Sequence, residues 1–401
     1  MNLGRRGFIA GGCALCAAKV MACTPTSPEG RPLTGIDANA NLAPRIGPGG
    51  RTGASESLDD GLRATMDRME RQLRSSRFLV RDTKANAYIR NVVREMAGEY
   101  ADDIRPYIVR VPEFNASQAP NGMMQIWTGL MVRCKNESQM AAVLGHEIAH
   151  YTRAHSQERM NQVRQATDFS QILAFLFAGM GVPQLNDLSN FILTASIFGY
   201  SREHEREADE IGVRLLADRG LAPIEAARNW ENVTAEMAAR GIPRDKNIMF
   251  ATHPADWERA AALRHRASEL PKGDPRADAY REGLSSLREM LFEDQIRTGA
   301  HSATVLIADR WLEDDAKDGL ALYAKGEALR LRAKDGDEAR AAETLSAALG
   351  DPRAPAVAWR SLGLLRRKLG QEPEARELLD DYLRRAPNAP DREIIRRSLT
   401  S

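Results

Sequence analysis

A chain of 401 residues is long enough for two or three domains with cores of their own. Hydrophobic residues make up 43% and charged ones 28%, the proportions of a soluble globular protein. A formal net charge of +1 gives no ground for a nucleic-acid surface.

The N-terminus, "MNLGRRGFIAGGCALCAAKVMAC", places two arginines before a short, weakly apolar stretch rich in Gly and Ala. That is an export-signal layout, too short to span a bilayer. Arg5-Arg6 followed by Gly7-Phe8-Ile9 resembles a twin-arginine signal. Val20-Met21-Ala22-Cys23 resembles a bacterial lipobox and marks Cys23 as the expected lipidated residue, a membrane anchor; ordinary cleavage with Cys23 as a bystander is the alternative. After residues 1–23 only Cys134 remains, so no disulfide framework is expected.

Residues 24–57 are rich in Pro, Gly, Ser and Asn without apolar periodicity, and are expected to be a flexible linker. Helical patterning begins near residue 58. "VRVPEF" and "NGMMQIWTGLM" are the strand candidates, with a turn at Asn121-Gly122. Residues 136–165 and 200–220 are expected to be long helices. Between them "QILAFLFAGMGVPQL" is too short to cross a membrane and is broken by Gly179, Gly181 and Pro183. A less structured joint near Pro271–Pro275 separates residues 58–272 from 277–401.

The first long helix carries His146-Glu147-Ile148-Ala149-His150. Residues i and i+4 of a helix share a face, so two imidazoles there can hold one Zn²⁺. Glu147 is rotated about 100° away, toward the metal's open position, where it can act as a base. A catalytic zinc needs a third protein ligand. His155 lies in the wrong register and is expected at the helix end or behind a ligand. On the second helix, Glu205, Ala208, Gly212 and Leu215 form a small, apolar, inward stripe. Glu203, Glu207, Glu210 and Arg214 share the polar face. A buried carboxylate needs a metal or a partner, so Glu205 is the preferred third ligand; the alternative is a salt bridge to an arginine such as Arg202. Asp209 stands one turn on. His204 is expected to point elsewhere, exposed. His253, before Pro254 and a helix with Arg259 in its first turn, is by itself an ordinary cap or surface residue.

In the tail, Trp359, Gly363, Gly370, Ala375, Leu379 and Pro387 fall at tetratricopeptide positions, and Gly336, Ala341 and Leu345 meet the same period upstream. Gly326 comes early for the pattern. Two copies are marginal alone, so residues 277–315 should add similar helices, or the stack should dock on the preceding domain.

Taken together, H-E-x-x-H, a later E-x-x-x-D, and Thr252-His253-Pro254 with Arg259 resemble the zinc peptidase family that includes the CAAX prenyl proteases and HtpX-like heat-shock proteases. With an export signal and a repeat tail, the architecture looks like the BepA-type periplasmic proteases. The resemblance implies a mainly α (α+β) fold: a gluzincin-type helical protease domain with a small sheet at 58–272, then an α-solenoid at 277–401. It implies His146, His150 and Glu205 as ligands to one Zn²⁺ and Glu147 as the catalytic base. Asp209 becomes a catalytic-site acid, as proton donor or orienter, and His253 a fourth ligand that keeps the enzyme latent or a group that stabilises the oxyanion. The strand around Met123–Thr128 is expected to offer the edge on which an extended substrate adds. The implied activity is endopeptidase action on misfolded or misassembled envelope proteins, in the periplasm on a lipid anchor. A protein partner, such as outer-membrane assembly machinery, would sit on the repeats. The competing expectation is a non-catalytic tetratricopeptide chaperone or adaptor with a structural zinc.

Overall fold

Asn136 starts the helix on which the fold turns: its side chain accepts the backbone N–H of Gln139 at 2.8 Å. The computed structural model describes residues 42–49, 56–159, 200–241, 253 and 257–400, all within one contact unit, Ile36–Ser401. The signal stretch with Cys23, and the apolar segment 171–185, lie outside the described residues.

Helices α1 (Glu56–Ser75) and α2 (Thr83–Ala97) precede strands β1 (Arg105–Val109), β2 (Ala116–Gln118) and β3 (Met123–Trp127); α3 (Thr128–Arg133) and α4 (Glu137–Thr152) follow. The sheet order is β1-β3-β2, with β1 parallel and β2 antiparallel to β3. The strand expected over Val109–Phe114 lies earlier, at β1. Beyond Val109 the chain leaves the ladder toward Pro112, which has no N–H to give. The candidate that began at Asn121 stops at Trp127. There the Thr128 hydroxyl and the Gly129 N–H both donate to the Val111 carbonyl, at 3.0 and 2.8 Å, and turn the chain into α3.

α4 is buried along nearly its whole length. It does not run on to 165. Helical bonding breaks at Arg153-Ala154, where Ala154 takes φ 58°, and resumes at His155. The linker expectation also fails for residues 42–49, because the Arg45 and Ile46 amides both donate to the Thr152 carbonyl, an orphan acceptor at the end of α4. Ile46 is fully buried, and its own carbonyl accepts the Tyr100 hydroxyl at 2.7 Å.

Ser201 caps α5 (Arg202–Asp218), which lies against α4; α6 (Ile224–Arg240) and α7 (Trp257–Ser268) complete the helical layer. α4 and α5 touch backbone to backbone. A Cβ on Gly212 would stand 3.1 Å from the His146 amide nitrogen, so the bare Cα lets the helices approach at the first histidine. That approach carries Glu205, two turns upstream on α5, to the H-E-x-x-H face.

The joint at Pro271–Pro275 has no helix but is tightly held. The Asp274 amide donates to Gly220, and Ser138 donates its hydroxyl to the Asp274 carbonyl and its amide to Pro275. Beyond it come α8 (Ala277–Gly283), α9 (Arg288–Arg297), α10 (His301–Leu312), α11 (Gly319–Arg332), α12 (Asp337–Ala348), α13 (Val357–Lys368), α14 (Glu372–Arg385) and α15 (Arg392–Thr400). α11 pairs with α12 and α13 with α14. The two hairpins close on glycines: a Cβ at Gly326 or Gly363 would meet Leu345 at 2.6 Å or Leu379 at 2.8 Å. No helix among the described residues is long and apolar enough to cross a membrane.

Candidate metal centre

Four buried side chains, His146, His150, Glu205 and His253, bring one donor atom each into a single group. His146 and His150 stand one turn apart on α4, and their Nε2 atoms are 3.0 Å apart. Glu205 enters from α5, with Oε1 at 3.4 Å from His150 Nε2 and Oε2 at 3.4 Å from His146 Nε2. His253 closes the group with Nδ1 at 3.0 Å from Glu205 Oε1 and 3.3 Å from His146 Nε2. Tetrahedral donors about 2.0–2.1 Å from a zinc ion lie about 3.3–3.4 Å from one another. The spacing and the three-imidazole, one-carboxylate donor set therefore fit Zn²⁺.

The centre's charges are arranged around that group. Burial would raise the Glu205 carboxyl, but His253 and then Arg259 hold it well below the usual carboxylate range. Arg259, not Arg202, is its ion-pair partner, with Nη1 at 2.6 Å from Oε2. Arg259 also donates from Nε and Nη2 to the two oxygens of Asp209, at 2.8 and 2.7 Å. Asp209 Oδ1 in turn lies 3.0 Å from His146 Nδ1, on the far side of that ring from the donor group. Burial opposes charge on His146, yet Asp209 and Glu205 raise its pKa to about 9. Burial drives His150 well below the histidine range.

Glu147 lies beside the group. Burial raises its carboxyl, against the pull of His253 and His146. Its Oε2 is buried with no hydrogen-bond partner among the described residues, and its Oε1 lies 3.5 Å from His253 Nε2. A cleft opens here, bordered by His146, Glu147 and His253 and walled by apolar Phe114, Val143, Val213, Trp230 and Leu263.

The expected substrate edge is corrected. β3 is the middle strand, paired on both sides, and cannot take another. The strand at the α4 end of the sheet is β2, whose neighbours Phe114 and Asn115, with its own Ala116, border the cleft. Three-residue β2 carried no alternating pattern long enough to be read as a strand.

His204 is also corrected. It is buried and donates its Nε2–H to Glu158 Oε2 at 3.0 Å, with its ring stacked on His155 at 4.3 Å between centroids. Glu210 was expected on the polar face but is fully buried, because Arg266 of α7 reaches it along with Arg214. Tyr200, which sequence patterning passed over, stacks on His150 at 3.7 Å and 15°. His155 sits behind His150, as the register suggested, and burial, then His150 and His204, push its pKa down to about 2.

Residues 83–267 match the model of the peptidase family M48. The mitochondrial metalloendopeptidase OMA1 of Schizosaccharomyces pombe is 31% identical over 189 residues, 46% of this chain and 53% of that protein. The beta-barrel assembly-enhancing protease of Yersinia pestis is 28% identical over 311 residues, 75% of this chain and 62% of its own. The metalloprotease LoiP of Escherichia coli is 29% identical over 160 residues, 39% and 60%. The chain thus spans less than two thirds of the length of each of these relatives. The four-donor centre lies on a stretch whose sequence and geometry agree, and the chain carries a peptidase family M48 domain.

Proposed function

We propose that the chain is a zinc-dependent endopeptidase of the bacterial envelope that cleaves misfolded or misassembled proteins. The observation that carries this is Glu147, a buried carboxylate beside a four-donor metal group, with one carboxylate oxygen that has no hydrogen-bond partner among the described residues. A structural zinc has no use for a base there. Bound Zn²⁺ supplies Lewis acidity, activating water and polarising a carbonyl. His146, His150 and Glu205 hold it, and Asp209, held by Arg259, fixes the orientation of His146 rather than donating a proton. Glu147 takes the proton of the attacking water and passes it to the leaving amine. The substrate lies extended along β2, reading backbone more than side chain, with one apolar side chain in the cleft. His253 fills the fourth donor position and keeps the site latent.

The helices from residue 277 serve as a tetratricopeptide solenoid for a partner or client. That a relative is named for beta-barrel assembly makes outer-membrane protein assembly the favoured setting. Cys23 anchors the protein to a membrane; Cys23→Ser should move it to the soluble fraction, and a wild type already soluble would refute the anchor.

The direct test is Glu147→Gln. The purified variant should bind one zinc per chain, as wild type does, and lose casein cleavage by roughly 10²- to 10⁴-fold. Undiminished cleavage would refute the assigned base. If zinc-loaded wild type and His253→Ala, which frees the fourth position, both cleave nothing, a binding protein is favoured instead.

A further inference from the structure

The tautomer of His150 is set from outside the donor group. Its Nε2 is the atom that faces His146 and Glu205. On the reading of this group as a metal centre, on which the inference rests, that nitrogen must keep its lone pair free. A neutral imidazole carries one N–H, so the proton sits on Nδ1. His150 Nδ1 is 2.9 Å from His155 Nδ1, which must then accept. The proton of His155 is thereby placed on Nε2, which is 3.2 Å from Glu207 Oε2, an acceptor only. The same Glu207 oxygen accepts the Arg153 Nε–H at 2.9 Å. Each assignment forces the next, and the series ends on a paired carboxylate.

We infer that His155 is a positioning residue, linking His150 to Glu207 so that the imidazole presents Nε2 to the metal. Its placement has a local cause. Ala154, at φ 58°, turns the chain back after α4 and sets His155, fully buried, against the rear of His150. His155 is no ligand, because its contact is with the ring nitrogen that points away from the other donors. The two α4 histidines are thus oriented differently, His146 by Asp209 directly and His150 through a second imidazole. The stacked rings of Tyr200 on His150 and His204 on His155 hold both planes.

The test is metal affinity, read on the stripped full chain by zinc titration against a chromophoric chelator. His155→Leu should weaken binding roughly 10- to 100-fold, the cost of losing an orienting partner. His155→Asn, whose side-chain oxygen can accept where Nδ1 did, should recover most of that loss. Glu207→Ala removes a partly exposed side chain, so the fold should persist, and affinity should again fall. Ring ¹⁵N spectra of the zinc-loaded protein should show protons on His150 Nδ1 and His155 Nε2. Wild-type affinity in both His155→Leu and Glu207→Ala, or a proton on His155 Nδ1, overturns the inference. His146→Ala separates the two claims. If it loses zinc while those variants keep it, only the inference fails; if it too binds normally, the metal-centre reading fails and takes the inference with it.

Discussion

His253 differs from the other three donors in where it comes from. His146, His150 and Glu205 ride on α4 and α5, whereas His253 sits at a bend. Its Nδ1 completes the donor group while its Nε2 lies 3.5 Å from Glu147 Oε1, so one ring both fills a coordination position and crowds the base. A site closed with four protein donors has the structural-zinc form, and opening it needs the fourth to leave. His253→Ala should therefore retain one zinc on three ligands and raise basal cleavage of an unfolded substrate several-fold, measured on casein. Reduced cleavage with zinc retained would make His253 a catalytic group instead. At this scale the sequence was informative where the relevant spacing is local. The i, i+4 histidines and the inward stripe of α5 are periodic, and the structure brings His146, His150 and Glu205 together. Sequence gives Arg259 a place in the motif with His253 but no partner, and names Arg202 only as an example of a salt-bridge arginine, because the Arg259–Asp209 pairing spans 50 residues and leaves no periodic trace. His204 was expected outside for the same reason: the ring that covers it, His155, returns only because the helix breaks.

Elements fared by length. α4 and α5, each carrying many residues of one period, were foreseen close to their observed cores; β2, with three residues, was not. The sheet inverted one expectation with functional weight. A run as apolar as Met123–Trp127 looks like a substrate edge only if one of its sides is open, and its burial on every residue is instead the mark of a central strand. Residues 42–49 show the reverse error. Their Pro- and Gly-rich composition argues for a linker, but one apolar side chain suffices to dock it. Full burial of Ile46 is worth about 1.5–3 kcal/mol. The backbone groups nearby then satisfy the end of α4, and Arg153 donates to the Ala43 carbonyl at 2.6 Å. Arg153 is also the partner of Glu207, so this N-terminal segment buttresses the same side of the metal helix that His155 occupies.

Over the whole molecule, the notable fact is how the C-terminal helices meet the M48 domain. Tyr280 donates its hydroxyl to the Met131 carbonyl at 2.7 Å, and Trp311 its Nε1–H to Val132 at 2.9 Å. These are carbonyls of the last turn of α3, which have no partner within the helix itself. Composition suggested a loose joint at Pro271–Pro275 because it registers Pro and Gly but not what the backbone bonds to. Beside these contacts, Glu236 of α6 lies buried between Arg133 of α3 and Arg310 of α10, accepting from Arg133 Nε at 2.7 Å and from Arg310 Nη2. One carboxylate thus offsets two buried guanidiniums across the junction. Its removal leaves both uncompensated, a loss of about 3–5 kcal/mol. Glu236→Gln should lower the thermal midpoint and make the chain between Pro271 and Gly319 open to limited proteolysis, with zinc content unchanged, because Glu236 touches no donor of the metal group. An apolar replacement of all three, Arg133→Met with Glu236→Leu and Arg310→Leu, should restore the midpoint to near wild type, since an ion-pair cluster often gives no more stability than well-packed apolar groups of similar volume. If the single variant leaves both the midpoint and the protease resistance unaltered, the junction is held by Tyr280 and Trp311 alone.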